Sequence, residues 1–263
     1  MVKYSYSEMT SEELKDAIEA QRVVILPVGS IEQHGPHLPL GTDAFLVEEV
    51  CARAVKRIPA EAVLAPLIPY GFNEESMDFP GTVTVEATAF IDYVYSVCRC
   101  FSHHGFKRII IVNGHGNNIP YLCIASDRIL YQTNSICAMV SYYQLSPKTV
   151  ADTLETEVIS HADELETSLI LATLPQLVYM SKARKDVDKI PGSKWIYWGT
   201  QKPRVVHFMD FDSRISESGI VGDPTKASKN KGEIILEAFV TNLVDFIKDF
   251  RKRQISSPID HHK

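Results

Sequence analysis

The sequence predicts a three-layer α/β/α fold on a mostly parallel central sheet, and three observations carry that expectation. Two short, nearly unbroken apolar runs, RVVILPV at 22–28 and KRIIIVNGHG at 107–116, have the pattern of strands buried on both faces. Segments of helical periodicity separate them, and connections of that length imply crossovers between parallel strands with helices on both sides. The length of 263 residues, with 45% hydrophobic and 23% charged side chains, suits one large globular domain spanning 1–263.

Taken in order, TSEELKDAIEA (10–20) begins with Thr10 or Ser11 as a cap and acidic residues in the first turn, a helix start. Strand 22–28 follows, then a Gly/Pro-rich loop, then DAFLVEEVCARAVKRI (43–58), whose helical spacing puts Asp43 at the cap. AVLAPLIPYG (62–71) reads as a strand, GTVTV (81–85) as a short extended piece, and 86–105 as a helix closed by Gly105. After strand 107–116 come a helix over about 119–130, a strand within 135–144, a helix over 162–174 and a long amphipathic terminal helix over 231–253. Residues 180–229 mix turn signals with aromatics, which suggests a lid or an oligomer contact.

A net charge of −6 gives no attraction to phosphate backbones or anionic lipid, so neither nucleic acid nor membrane is an expected partner. A small molecule is the default ligand. The five cysteines show no C-x-x-C pair and read as reduced thiols. The N-terminal stretch has no apolar signal core, and the longest apolar runs are too short to span a bilayer. The expected compartment is the cytoplasm.

In an open parallel sheet, ligands gather where loops leave the carboxyl ends of the strands. Two such loops here carry histidine and glycine: VGSIEQHGPHLPLGTD after the first strand and NGHGNN after the strand at 107–113. Glu32 and His34, two apart in extended chain, can converge; Asp43 can point back from its helix start, and His115 arrives from the neighbouring strand. Two carboxylates with two imidazoles suit Zn²⁺, Mn²⁺ or Fe²⁺, and a carboxylate such as Asp43 can bridge two ions. Two alternatives remain open: the histidines are turn residues and NGHGNN binds an anion at a helix start, or the metal site binds without catalysing. In SHADELETS (160–168), Asp163 and Glu164 fit macrodipole partners. Glu166 abuts the apolar stretch and needs a cation partner. His161, just outside the helix, is a general acid or base candidate.

The motifs E-x-H-G-x-H-L-P-L-G-T-D (Glu32–Asp43), F-P-G-T (Phe79–Thr82), N-G-H-G-x-N (Asn113–Asn118), H-A-x-x-x-E-T-S (His161–Ser168) and G-x-x-G-D-P-x-x-A-S-x-x-K-G (Gly219–Gly232) together resemble the creatininase, or creatinine amidohydrolase, family over nearly the whole chain. The resemblance implies a hexamer with two divalent ions that activate water against a C–N bond. It implies Glu32, His34, Asp43, His115 and Glu166 as metal ligands, with Asp43 bridging, and His161 as the proton shuttle. Creatininase itself has a metal-binding glutamate two positions after the second-strand histidine; here Asn117 stands there, and Glu166 is implied in its stead. The tryptophans that cover creatinine have no evident counterparts, which leaves Tyr142, Trp195 and Trp198 as substrate-contact candidates. Near F-P-G-T, where many relatives carry a histidine, this chain has Ser76. Relatives also include formamide hydrolases, precursor-trimming peptidases and hydrolases that open an oxidised inositol ring by C–C cleavage. The expected reaction is hydrolysis of a small cyclic amide or formamide, with inosose-type ring opening as the alternative.

Overall fold

The computed structural model describes residues 2–157, 159–187, 193–196, 199, 206, 208–257 and 259–262. Its helices and strands run in the order α1 (Ser11–Glu19), β1 (Val23–Val28), α2 (Thr42–Arg57), β2 (Ala62–Leu64), α3 (Ala87–His104), β3 (Arg108–Asn113), α4 (Ile119–Gln132), β4 (Ile136–Ser141), α5 (Pro147–Thr153), α6 (Glu164–Thr173), α7 (Asp212–Ile215) and α8 (Lys229–Arg251). The four strands are parallel in the spatial order β2-β1-β3-β4.

Alternation along the strands builds the two outer layers. Val23 and Ile25 of β1 pack with α2, α6 and α8, whereas Val24, Leu26 and Val28 pack with α1, α3 and α4. All six β1 residues are buried, so both faces of the strand are covered, which is why its sequence shows no polar alternation. Each buried Val or Ile contributes roughly 1.5–3 kcal/mol relative to exposure. The polar sites described below are stabilised by this apolar frame rather than the reverse.

Local chemistry sets the helix ends. Thr10 accepts from the Glu13 N–H while Glu13 reaches back to the Thr10 N–H, a complete capping box. α3 starts behind a Glu86 cap and stops at Gly105, whose φ of 113° suits glycine. α6 begins at Glu164 behind an Asp163 cap, and α8 begins at Lys229 behind Ser228, each two residues from the expected start.

Three expectations are corrected. Asp43 is not the cap of α2: Gly41 holds that place and Asp43 is the second helical residue, because the Thr42 hydroxyl and N–H both bond back to the Pro39 carbonyl and tighten the entry turn. The strand expected over 62–71 ends at Leu64, since Pro66 and Pro69 remove ladder donors, and it resumes as one parallel bridge between Val28 and Ile68. The extended piece at 81–85 amounts to one antiparallel bridge, Ile31 with Val83.

Among the described residues, no helix is long and apolar enough to cross a membrane.

Candidate metal centre

Strands β1 and β3 are neighbours, with Val28 opposite Asn113, yet the chain leaves them toward opposite layers: β1 leads to α2 on one face and β3 to α4 on the other. That divergence opens a crevice at the carboxyl end of the sheet, and the two histidine-bearing loops meet in it. Close approach of backbone is needed here. A Cβ on Gly29 would lie 2.5 Å from the Ala44 Cα, and one on Gly114 would lie 2.8 Å from the Asp43 carbonyl oxygen. Both glycines thus let the strand-end loops seat against the first turn of α2, which carries Asp43. Gly114→Ala is expected to displace that turn, weaken metal binding at least tenfold and cost about 1–3 kcal/mol of stability by overpacking; metal titration and denaturant melts check this, and unchanged values for both would refute it.

Cross-links between loops fix the side chains. The Gln33 N–H donates to the Thr82 hydroxyl at 3.1 Å, which gives the F-P-G-T motif a role as a clamp on the Glu32–His34 segment. Asn113 folds the N-G-H-G turn back on itself, accepting from the His115 N–H at 3.1 Å and donating to the His115 carbonyl at 2.7 Å. Asn118 joins three segments, accepting from the Phe72 N–H and donating to the Gly29 carbonyl. Ala162, in the left-handed region at φ 50°, sits between His161 and the Asp163 cap and donates its N–H to Glu166 Oε2 at 2.6 Å. This turn aims His161 and Glu166 at the same mouth.

The structure brings Glu32, His34, Asp43, His115, His161 and Glu166 together. Asp43 Oδ1 lies 3.3 Å from His34 Nε2, and its other oxygen, Oδ2, lies 3.0 Å from His115 Nδ1. Glu32 Oε2 is 3.2 Å from His115 Nδ1 and Glu32 Oε1 is 3.0 Å from His161 Nδ1. Glu166 Oε2 is 3.6 Å from His34 Nε2. Ligand atoms of Glu32, Asp43 and His115 lie within 4.8 Å of one another, as do those of His34, Asp43 and Glu166. The two groups share Asp43, one oxygen toward each. A third such group joins Glu32 and His34 with His161.

Hydrogen bonds set the imidazole tautomers. His34 Nδ1 donates to the Glu32 carbonyl at 3.1 Å, and His115 Nε2 donates to the Phe72 carbonyl at 3.2 Å. In each ring the backbone bond holds the far nitrogen and leaves the near nitrogen's lone pair facing carboxylates, the arrangement of a metal-binding histidine. Glu32 Oε2, His34 Nε2 and Asp43 Oδ2 are buried and make no hydrogen bond. Taking each carboxylate out of water costs several kcal/mol, which one neutral hydrogen bond, at about 1 kcal/mol, does not offset. The donor set therefore fits divalent cations.

The titration of these groups reports the same demand. Burial pushes the Glu32 carboxyl well up, with Asp43 adding to that and His115 opposing. Burial alone would depress His34 and His115, but the carboxylates of Asp43 and Glu166 raise the first and those of Glu32, Asp43 and Glu75 raise the second. Asp43 is held low despite burial, by His34 and His115. His161 behaves differently: burial and the neighbouring His34 lower its pKa. Its Nε2 lies 2.7 Å from the Gln33 carbonyl and 3.0 Å from the Gln33 amide nitrogen.

His37, the second imidazole of the H-G-P-H motif, goes elsewhere. It is buried, its Nε2 lies 2.9 Å from the Thr167 hydroxyl, and burial with His34 beside it lowers its pKa to about 4. It ties the β1 loop to α6.

Of the substrate-contact candidates, Tyr142 is 2% exposed and lines the pocket over the carboxylate cluster, with Ile196, Phe208 and Met209. Trp195 is 61% exposed and is not among the described lining residues. Trp198 lies outside the described residues. Asn117 lines the same pocket and donates its amide to Glu75 Oε1. Among the residues that escaped the sequence reading are Glu75 and Asp212, which line the pocket, and Gln33, which meets the His161 ring. Glu75 and Asp212 come from segments with no metal motif, so tertiary contacts, Asn117 with Glu75 and Ser76 with Asp212 among them, bring them to the site. Gln33 lay inside the motif, between two expected ligands, and its position there was the available signal.

With this geometry in place, comparison with known proteins is informative. The sequence pattern of the creatininase family, described as creatinine amidohydrolase, matches residues 7–247. The chain is 29% identical to 3-dehydro-scyllo-inosose hydrolase of Thermotoga maritima, over 94% of this chain and 84% of that protein. It is 29% identical to creatinine amidohydrolase of Pseudomonas putida, over 92% and 95%, and 32% identical to the mycofactocin precursor peptide peptidase of Mycolicibacterium smegmatis, over 86% and 84%. The fold superimposes on crystalline creatininase with a TM-score of 0.82 at 26% identity, over 97% of this chain and 100% of that one. A manganese form of creatininase matches with a TM-score of 0.82 at 26% identity, over 95% and 100%, and a mutant of Zn–Zn type with a TM-score of 0.81 at 26% identity, over 95% and 100%.

Proposed function

The chain belongs to the creatininase family of metal-dependent hydrolases, and from that premise we propose that it hydrolyses a C–N bond of a small cyclic amide or formamide at a centre of two divalent ions, Zn, Mn or Fe. The observation that carries this reading is Asp43, whose two oxygens face two separate ligand groups, Glu32 with His115 and His34 with Glu166. A buried carboxylate placed so suits a bridge between two ions. When bound, the ions would lower the pKa of water toward the neutral range and polarise the carbonyl under attack.

The chain's own residues supply the rest. The tautomers of His34 and His115 are fixed by backbone carbonyls before any ion arrives, so the donor set is preorganised. His161 is the proton carrier of this reading. Its Nε2 hydrogen is engaged by the Gln33 carbonyl, which leaves Nδ1 to take a proton from the attacking water and return it to the leaving nitrogen. A lowered pKa keeps that nitrogen unprotonated at neutral pH, as a general base requires. Tyr142 lines the pocket beside the reacting centre, and Val206, Phe208, Met209, Asp210, Asp212 and Ile215, from the segment expected to form a lid or an oligomer contact, supply further lining.

His161→Ala is expected to retain the full metal content and lose about 100-fold to 10,000-fold in turnover, checked by elemental analysis beside steady-state kinetics on cyclic amides. Loss of metal in step with activity would instead place His161 among the ligands.

A second reading is ring opening of an oxidised inositol by C–C cleavage. It is supported by 29% identity to an inosose hydrolase over 94% of the chain. Screening cyclic amides against keto-inositols separates the two. The family's hexameric assembly carries over as a proposal for size measurement in solution.

A further inference from the structure

Glu75 is a buried carboxylate that the proposed reaction does not use. It sits in a short helical turn, Glu74–Ser76, is 7% exposed and belongs to the pocket wall. Asn117 donates its amide to Oε1. Oε2 is buried and makes no hydrogen bond, and a buried acceptor left unpaired costs the full desolvation of that group. A hydrogen-bond donor that enters the pocket would satisfy it.

Two obvious partners are excluded by geometry. Glu75 stands on the wrong side of the His115 ring to share its metal: the His115 nitrogen facing Glu32 and Asp43 is Nδ1, whereas Glu75 lies 3.7 Å from Nε2. It is also a poor orienting acceptor for His115, because 3.7 Å exceeds hydrogen-bond reach and Nε2 already donates to the Phe72 carbonyl at 3.2 Å.

The turn that carries Glu75 is held firmly. Asn73 accepts from the Ser30 hydroxyl at 2.6 Å and donates to the Val83 carbonyl at 2.7 Å, and its N–H donates to the Thr84 hydroxyl at 3.0 Å. Ser76 donates to Asp212. Such bracing keeps an unpaired acceptor in place at a fixed distance from the reacting centre.

We propose that Glu75 is a substrate-binding residue whose Oε2 accepts a hydrogen bond from an N–H or O–H of the substrate, with Asn117 holding the carboxylate in orientation. The substrate class follows: a small molecule that places a hydrogen-bond donor, a ring N–H or a hydroxyl, beside the bond to be cleaved, and no carboxylate or phosphate at that point. This rests on the hydrolase reading above and deepens it.

The test uses the full chain loaded with Mn²⁺ or Zn²⁺, as wild type, Glu75→Gln and Glu75→Ala. Each is titrated calorimetrically with creatinine and 3-dehydro-scyllo-inosose as N–H and O–H donors, with N-methylated and O-methylated counterparts, and with inositol phosphates; KM and kcat are measured for any compound turned over. The expected result is that the wild type binds at least one donor and binds its methylated counterpart more weakly. Both variants should bind that donor at least about tenfold more weakly, raising KM more than they lower kcat, with metal content and metal affinity unchanged. Which donor is bound distinguishes ring nitrogen from hydroxyl. Wild-type affinity in both variants overturns the proposal, as does a wild type that binds only the phosphates or none of the donors. A tenfold or greater loss of metal affinity in Glu75→Gln overturns it by making Glu75 a positioning residue for His115. Failure of the wild type to take up metal sinks the hydrolase reading itself, a separate outcome read before any ligand is added.

Discussion

Asp43→Asn is expected to lower metal affinity by more than about 100-fold and to abolish measurable turnover, while the protein remains folded. The substitution keeps the shape of the side chain at the second position of α2, so the helix and its packing are undisturbed. What changes is the chemistry of the two terminal atoms. One becomes an amide NH₂, which cannot bind a cation, and the charge is lost. Because Oδ1 and Oδ2 face different ligand groups, the variant cannot serve both. Removing groups that merely orient ligands costs tenfold to 100-fold in metal affinity, and loss of a shared ligand must exceed that. Elemental analysis after dialysis, circular dichroism and steady-state rates on the same preparations check it. Full wild-type metal content in a folded Asp43→Asn protein would remove the bridging role.

Chelation is expected to lower the melting temperature, and the difference between loaded and chelated protein is expected to widen as pH rises from 6 to 8. In the metal-free chain, His34 and His115 have pKa values raised well above 6.5. Groups raised on folding contribute stability that is fully present below their unfolded pKa and is lost as pH rises through the folded value. Glu32, also raised, acts in the same direction, favouring the chelated protein at low pH. Asp43 is depressed, so its contribution is present above 3.8 and is lost only at strongly acid pH, outside this window. The chelated protein therefore weakens from pH 6 upward. Metal binding requires the imidazoles unprotonated, so loaded protein gains over the same interval, by RT ln(1 + [L]/Kd). Scanning melts at fixed ionic strength, with and without chelator, read this directly. A gap that narrows with pH would contradict the charge arrangement described for the cluster.

The difference between His34 and His37 shows where sequence reading stops. Both imidazoles belong to one twelve-residue motif, Glu32–Asp43, and composition treats them alike. The turn at Gly35 and Pro36 sends His34 into the carboxylate cluster, whereas His37 faces the Thr167 hydroxyl. Glu75 makes the same point from the other side. Its segment has no metal-binding spacing, and it enters the pocket only because Asn73, Ser76 and Asn118 tie the 71–76 loop to chain segments distant in sequence. Trp195, a large aromatic in the segment expected to form a lid or an oligomer contact, stands 61% exposed.

The sequence by itself determined the layers and the crevice. Apolar runs long enough for strands, separated by helical spacing, leave parallel strands with both faces covered as the stable arrangement, and the ends of β1 and β3 then define where a ligand sits. It also determined that carboxylates and imidazoles converge there, because two histidine-bearing loops leave adjacent strands. Tertiary structure alone decided which oxygen faces which nitrogen, which histidine joins the carboxylate cluster, and which carboxylate oxygen in the wall makes no hydrogen bond. Those choices depend on hydrogen bonds of about 3 Å between residues tens of positions apart, and a pattern along one chain carries no information at that resolution.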